Sequence, residues 1–199
     1  MGSITSEQYV ARNLQGFEGD TFMKSEFERL IAKHKIDLII ETGTFKGGTT
    51  NQLRKMVKEV ITIEINSEYF AEAKKNISDL TNVIMIHGSS PEVLDTILPA
   101  QSEKNIMLFL DGHWLDNCPL LEELRIIAEH GIKPVIAIHD FYVPGTNFGY
   151  DSYNGQRFDF AYIINEVSAI YKGGFHHHYN LQATGAKRGI IYLEPTNEK

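Results

Sequence analysis

The sequence predicts a single α/β domain built on a doubly wound, mostly parallel sheet of seven strands. Five short apolar runs rich in β-branched residues recur between residues 37 and 139, and stretches with helical spacing separate them. Two further apolar runs close the chain. Strands that alternate with helices form a parallel sheet with right-handed crossovers. With 199 residues, 42% apolar and 23% charged, the chain has the size and composition of one ordinary globular domain.

The predicted elements follow in order along residues 1–199. We expect a helical lead-in over residues 1–35, a βα core over 36–140, a loop over 141–157, and a helix with the closing strands over 158–199. The core strands are predicted at residues 37–41, 60–65, 83–87, 106–111 and 135–139. Helices are predicted at residues 67–80, 118–129 and 158–171, and another begins at Ser90 as N-cap with Pro91 behind it. The closing strands are predicted near residues 175–180 and 188–193.

Composition excludes several classes of protein. A formal net charge of −7, with no basic run longer than Lys74-Lys75, argues against a nucleic-acid partner. Cys118 is the single cysteine, so no disulfide framework or multi-cysteine metal site is expected. No apolar segment approaches the roughly 18 residues of a membrane span. We therefore expect a cytoplasmic protein that acts on a small molecule without a membrane, and a homo-oligomer is left open.

A glycine-rich turn follows the first predicted strand. Gly43 and Gly47 let the backbone pass close to a bound group, and the helix that begins after them offers free N–H donors. Glu64 ends the second strand 21 residues after Gly43. An acid at that strand tip accepts hydrogen bonds from ribose hydroxyls in nucleoside-binding α/β folds. The pair predicts a nucleoside site.

The turn also restricts the kind of nucleoside. A dinucleotide-binding turn needs a second glycine so that a pyrophosphate can approach, but Phe45 and Lys46 occupy that part of the turn. No phosphate loop of the form G-x-x-x-x-G-K-[ST] is present. A nucleoside without a pyrophosphate is favoured, and an NAD-type oxidoreductase is disfavoured.

Polar residues end all five predicted core strands. Parallel strands present their carboxyl ends at one rim of the sheet, where ligands of open α/β folds bind. Strand ends also meet water in any sheet, but that alone does not explain the spacing of the glycine turn and the second acid. The residues at this rim are Glu41, Glu64, His87 to Ser90, Asp111 to His113, and His139-Asp140.

The motifs Glu41-x-Gly43-x-x-x-Gly47, Glu64, Gly88-Ser89 and Leu110-Asp111-Gly112-His113 resemble the class I S-adenosylmethionine-dependent methyltransferases. The small-molecule and sugar O-methyltransferase-like branch is the most similar, over roughly residues 36–141. The resemblance implies a Rossmann-like methyltransferase fold, S-adenosylmethionine as cofactor, and methyl transfer to an oxygen of a small molecule or a sugar or glycan precursor. It implies cofactor contacts from Glu41, Gly43, Thr44, Phe45, Gly47, Thr49, Glu64, Ile65, Ser89 and Asp111. Among these, Glu64 would hold the ribose, and Ile65 would pack on adenine. Thr49 or Thr50 would lie near the methionine carboxylate.

The chemistry at the fourth and fifth strand tips remains open. Neighbouring parallel strands lie about 4.8 Å apart, so Asp111 and Asp140 can share a divalent cation such as Mg²⁺. Catechol-type members of the resembled family place an Asp or Asn after the second acid and a lysine three residues after the first, where this chain has Phe141 and Trp114. His113 and His139 are then the candidate bases, with Asp140 as a partner that orients one of them. The alternative is an inactive nucleoside- or metal-binding protein that keeps the fold.

The predicted loop over residues 141–157 is longer than most connections in compact domains. Its aromatic residues and Asp151 suggest a wall over the substrate, with Asp151 pairing a hydroxyl or a cation. A plain surface loop is the other interpretation.

Overall fold

The computed structural model describes residues 14–77, 79–113 and 118–196. The strands are β1 (Leu38–Thr42), β2 (Glu59–Glu64), β3 (Val83–His87), β4 (Ile106–Leu110), β5 (Val135–Ile138), β6 (Ser152–Tyr153), β7 (Gln156–Arg157), β8 (Phe175–Tyr179) and β9 (Ile191–Pro195). The helices are α1 (Thr21–His34), α2 (Gly48–Leu53), α3 (Ser67–Asn76), α4 (Ser90–Ile97), α5 (Leu120–Glu129) and α6 (Phe160–Ile170). Short 3₁₀ turns lie at Phe17–Gly19 and Leu98–Gln101. None of the described helices is long and apolar enough to cross a membrane.

The main sheet confirms the predicted fold class. Its seven strands run in the order β3-β2-β1-β4-β5-β9-β8. Strands β1 to β5 are parallel, while β9 is antiparallel to β5 and to β8. The chain order reverses between β1 and β4, which makes their carboxyl ends the topological switch point where such folds bind ligands.

The sheet is covered on both faces because its central strands are apolar along their whole length. In β1, Leu38 and Ile40 belong to the core cluster that includes α5 and α6 residues, while Ile39 points to the opposite face. That second face packs against α1 through Phe27. All five residues of β1 and of β4 are buried, so these two strands form the packed centre of the sheet.

The predicted helix boundaries differ from the observed ones by one to four residues, and two of these differences have a tertiary reason. Helix α3 ends at Asn76 because Ile77 adopts extended backbone angles and packs on the turn at Gly47, where an added Cβ would lie 2.9 Å from Ile77 Cγ1. The N-cap of α4 is Ser89 rather than Ser90. The Ser90 side chain instead hydrogen-bonds to buried Glu123.

The segment predicted as a loop over 141–157 contains a small hairpin of β6 and β7. Asn154 and Gly155 both have positive φ, at 52° and 77°, which is the requirement of a two-residue hairpin turn. The Asp151 N–H donates to the Asp140 carbonyl at 2.9 Å. The hairpin is thereby tied to the rim of the sheet.

Candidate cofactor and acceptor site

A cavity of about 520 Å³ opens at the carboxyl ends of β1, β2 and β4. Its volume lies in the range of small-molecule and cofactor sites. Trp114 and residues 1–13 of the predicted lead-in lie outside the described residues. Eight predicted site residues line the cavity: Gly43, Phe45, Glu64, Ile65, Ser89, Asp111, His113 and Asp140.

Gly43 brings the ends of β1 and β4 into direct contact. It has a φ of +85°, and a Cβ at this position would lie 2.3 Å from the Asp111 carbonyl oxygen. Both the backbone angle and the close approach require glycine. Gly43 and Asp111 both line the cavity, so the turn and the end of β4 meet at its wall.

Glu64 is held in one orientation by two backbone donors. Its Oε2 accepts from the Phe45 N–H at 2.7 Å, and its Oε1 accepts from the Asn66 N–H at 2.8 Å. Burial raises the pKa of Glu64, and these backbone hydrogen bonds oppose that rise. Ile65 follows with 52% of its surface exposed, so an acid and an apolar side chain stand side by side at the cavity wall.

Four residues of the predicted cofactor set are not among the residues that line the cavity, so a direct contact between them and a cofactor stays a prediction. The Glu41 carboxylate is buried and accepts from the hydroxyls of Thr50 and Thr62. Thr44 Oγ1 bonds to Thr62 Oγ1 at 2.6 Å, and Thr49 Oγ1 accepts from the Phe17 N–H at 2.9 Å. Gly47, with φ +79°, packs on Ile77. These residues shape the turn.

Glu41 carries a prediction about stability. Burial raises its folded-state pKa from 4.5 to about 8. The folded protein therefore keeps a proton that the unfolded chain releases, so this group lowers stability progressively as pH rises from 4.5 to about 8. We expect Glu41→Gln, which resembles the neutral acid, to raise the free energy of unfolding by about 2 kcal/mol at pH 7.5 and to leave it unchanged near pH 4.

Urea unfolding at the two pH values measures the Glu41 effect. Glu103→Gln is the matched control because Glu103 is an exposed acid. It should leave the free energy of unfolding unchanged at both pH values. A loss of stability in Glu41→Gln that is equal at both pH values would contradict the prediction.

The far side of the cavity holds a closed ring of charged groups. Asp140, in a left-handed conformation with φ 56°, accepts at Oδ2 from His113 Nε2 at 2.9 Å. The Arg188 guanidinium donates to Asp140 Oδ1 and to Asp151 Oδ1. Asp151 Oδ2 lies 3.4 Å from His113 Nε2. Asp151 thus pairs with a cation of the chain itself, Arg188, and its predicted contact with a substrate hydroxyl or cation stays a prediction.

His139 lies beneath this ring and joins it to Asp111. Its Nδ1 is 3.1 Å from Asp111 Oδ1 and 3.4 Å from Asp140 Oδ1. It is only 3% exposed and does not line the cavity, whereas His113, the other predicted base, does.

The charges in the ring shift the pKa values in opposite directions. Burial lowers the pKa of His113, but its hydrogen bond to Asp140 and the nearby carboxylates outweigh burial and raise it. Burial also opposes the charged form of His139, yet Asp111 and Asp140 hold its pKa well above the usual value. The pKa of Asp140 is held well below its usual range, since the adjacent imidazoles and Arg188 outweigh burial.

The donor set fits a divalent cation. Asp111, His139 and Asp140 each offer one ligand atom, and these atoms lie within 4.8 Å of one another, as do those of His113, Asp140 and Asp151. With neutral imidazoles, the three aspartates and Arg188 leave a net charge of −2. A divalent ion or two imidazolium protons would balance that charge.

Sequence reasoning missed two residues that matter at this site. Arg188 lies 48 positions from Asp140 and has no local motif, so only the pairing of β5 with β9 brings it to the ring. Glu18 lines the cavity from the 3₁₀ turn before α1. Neither position carries a signal that spacing along the sequence reveals.

Solved structures share this architecture. An O-methyltransferase from Bacillus cereus in complex with SAH has a TM-score of 0.64 and 16% identity, covering 96% of this chain and 88% of that chain. TomG, an O-methyltransferase from Streptomyces achromogenes solved with SAM, has a TM-score of 0.58 and 16% identity. The match covers 98% of this chain and 82% of TomG. The chain has the class I S-adenosylmethionine-dependent methyltransferase fold. A putative O-methyltransferase from Klebsiella pneumoniae has the same fold, with a TM-score of 0.63 and 15% identity. The match covers 95% of this chain and 86% of that protein.

One curated relative is a methyltransferase named for ribosomal RNA. The ribosomal RNA small subunit methyltransferase A of Caldanaerobacter subterraneus subsp. tengcongensis is 33% identical over 149 residues. The match covers 66% of this chain and 52% of the relative, so the chain spans about half the length of that protein. No protein-family model matches the chain.

Proposed function

We propose that the protein is an S-adenosylmethionine-dependent methyltransferase that methylates a hydroxyl oxygen of a small molecule, with a sugar or glycan precursor as the expected class. The observation that carries the proposal is one cavity with two different ends. Gly43, Glu64 and Ile65 line the end suited to a nucleoside, and His113 with Asp140 lines the end suited to proton removal.

The cofactor end fits an adenosyl group. Glu64 would accept from the ribose hydroxyls, because its carboxylate is already fixed by the Phe45 and Asn66 N–H groups. Ile65 would pack on adenine, and Ser89 would lie near the adenine edge. The backbone at Gly43 would pass under the methionine part. The sulfonium supplies the reactive methyl group, so the chain has to align the reactants, remove a proton and exclude water.

His113 is the proposed general base. Its imidazole would take the hydroxyl proton of the acceptor as the acceptor oxygen bonds to the methyl group that S-adenosylmethionine supplies, and S-adenosylhomocysteine would leave. Asp140 and Asp151 then stabilise the imidazolium. Because these acids raise the pKa of His113 above 6.5, the rate should rise with pH through that raised value as the neutral base forms.

A divalent cation belongs to the same proposal. Asp111, His139 and Asp140 would hold it, and when bound it would hold the acceptor oxygens and favour the ionised hydroxyl.

The relative that acts on ribosomal RNA provides a second candidate function, an RNA methyltransferase. The cavity chemistry favours the small molecule, since Lys46 is the single lysine or arginine among the described residues that line it. Five carboxylates face it and would repel a phosphate backbone; they are Glu18, Glu64, Asp111, Glu122 and Asp140.

Transfer of a labelled methyl group from S-adenosylmethionine to a panel of acceptors tests these proposals. The panel contains sugars, nucleotide sugars, catechols and a ribosomal RNA hairpin. We expect a hydroxylated small molecule to be labelled, and His113→Gln to lower kcat about 100-fold or more with cofactor affinity unchanged. His130→Gln is the matched control, because His130 pairs with exposed Asp95 away from the cavity.

The same assay separates the alternatives. Cofactor binding without turnover on any acceptor would favour the inactive binding protein, and labelling of the RNA alone would favour the second candidate. Chelation should lower the rate at least about 10-fold, and added Mg²⁺ or Mn²⁺ should restore it. Full activity in excess chelator would contradict the cation proposal and leave the transferase proposal intact.

A further inference from the structure

The turn that precedes α1 has an unusual backbone. Gly16, Phe17, Glu18 and Gly19 all have positive φ, at 80°, 49°, 49° and 74°. Left-handed angles are unfavourable for residues with a Cβ, and two of these four residues have one. Strained backbone of this kind persists only where the surrounding structure fixes it, and it concentrates at functional sites.

Contacts from two directions fix the turn. The Phe17 N–H donates to Thr49 Oγ1 at 2.9 Å, and the buried Phe17 ring meets Phe27 edge-on at 5.2 Å between centroids. On the other side, the Glu18 carbonyl accepts from the Ala186 N–H at 3.2 Å. A Cβ on Gly185 would lie 2.1 Å from that carbonyl oxygen. The backbone of Glu18 is therefore locked between α2 and the chain before β9.

This locked turn places a carboxylate at the cavity. Glu18 lines it together with Gly43 and Asp111. Its Oε2 is buried and has no hydrogen-bond partner among the described residues. Burial raises the pKa of Glu18, which the charge of His139 only partly opposes. An acid without a cation of its own is costly to bury unless a ligand supplies one.

We propose that Glu18 binds the α-ammonium group of the methionine part of S-adenosylmethionine. This inference rests on the proposed function. The turn packs on α2 and reaches the cavity beside Gly43, which is where the methionine part would lie. Within the described part of the chain the nearby cations are already paired, since Arg188 and His139 contact Asp140, and His139 also contacts Asp111. The primary ammonium group of the cofactor would therefore supply the positive charge that pairs with the Glu18 carboxylate.

Calorimetry with three nucleosides tests the proposal. S-adenosylhomocysteine carries both the ammonium and the carboxylate, S-adenosyl-3-thiopropylamine keeps only the ammonium, and 5′-methylthioadenosine has neither. We expect Glu18→Gln to weaken binding of the first two about 10- to 100-fold and to change the third less than about 2-fold. Glu28→Gln, at an exposed acid of α1, should behave as wild type with all three.

A second variant separates binding from folding. Glu18→Asn removes the acid and is better suited to the left-handed backbone, so it should show the same selective loss with a melting temperature at or above that of wild type. Equal weakening of all three ligands in both variants would overturn the proposal, as would unchanged affinity for S-adenosylhomocysteine. In either case, binding by the wild-type protein would leave the proposed function standing. If the wild-type protein binds none of the three, both proposals fail.

Discussion

Replacing Glu64 with alanine is expected to weaken binding of S-adenosylhomocysteine about 100-fold or more. The proposed contacts to the ribose are charge-assisted, and the carboxylate is fixed before the ligand arrives by the N–H groups of Phe45 and Asn66. Isothermal titration calorimetry measures the loss. Glu59→Ala is the matched control, because Glu59 begins the same strand and pairs with Lys104 at 2.6 Å.

A ligand without the ribose hydroxyls distinguishes direct contact from a damaged turn. The wild-type protein should discriminate strongly against the 2′,3′-dideoxy analogue of S-adenosylhomocysteine, and Glu64→Ala should not discriminate. If Glu64→Ala binds both ligands as tightly as wild type does, the nucleoside site proposed at the tips of β1 and β2 is wrong.

Arg188→Met should lower the free energy of unfolding by about 3–5 kcal/mol at pH 8. The guanidinium donates to both Asp140 and Asp151, and its loss leaves two carboxylates without that cation. The larger part of this cost comes from the Asp140 carboxylate, because Asp140 is mostly buried and held in a left-handed conformation. Urea unfolding measures the effect. Arg157→Met is the control, since Arg157 is an exposed arginine that pairs with Asp159 and lies over the Tyr142 ring.

A double variant tests whether charge is the cause. Arg188→Met combined with Asp151→Asn should recover part of the lost stability, because one uncompensated carboxylate is removed. A cost below about 1 kcal/mol for Arg188→Met would show that the ring is solvated like a surface ion pair.

Local sequence predicted the parts of the fold that depend on short-range patterns. The five core strands were placed within one or two residues because buried parallel strands read as continuous apolar runs. The glycine turn and the acids that follow the apolar runs identified the rim of the cavity, because they stand directly after the predicted strands. The end of α3 could not be predicted, because Ile77 continues the helical pattern in sequence but turns away to pack on Gly47.

The sequence by itself determined the five core strands and the set of polar groups at their carboxyl ends, since both follow from periodicity and spacing along neighbouring residues. The order of the strands, and with it the switch point between β1 and β4, came from the tertiary structure. Only the tertiary structure decided which of those groups face the cavity. It closed Glu41 behind two threonine hydroxyls, placed His139 beneath the two aspartates, and brought Arg188 and Glu18 in from distant segments. The physical reason is that side-chain direction and long-range charge pairing depend on packing between elements, which no local pattern encodes.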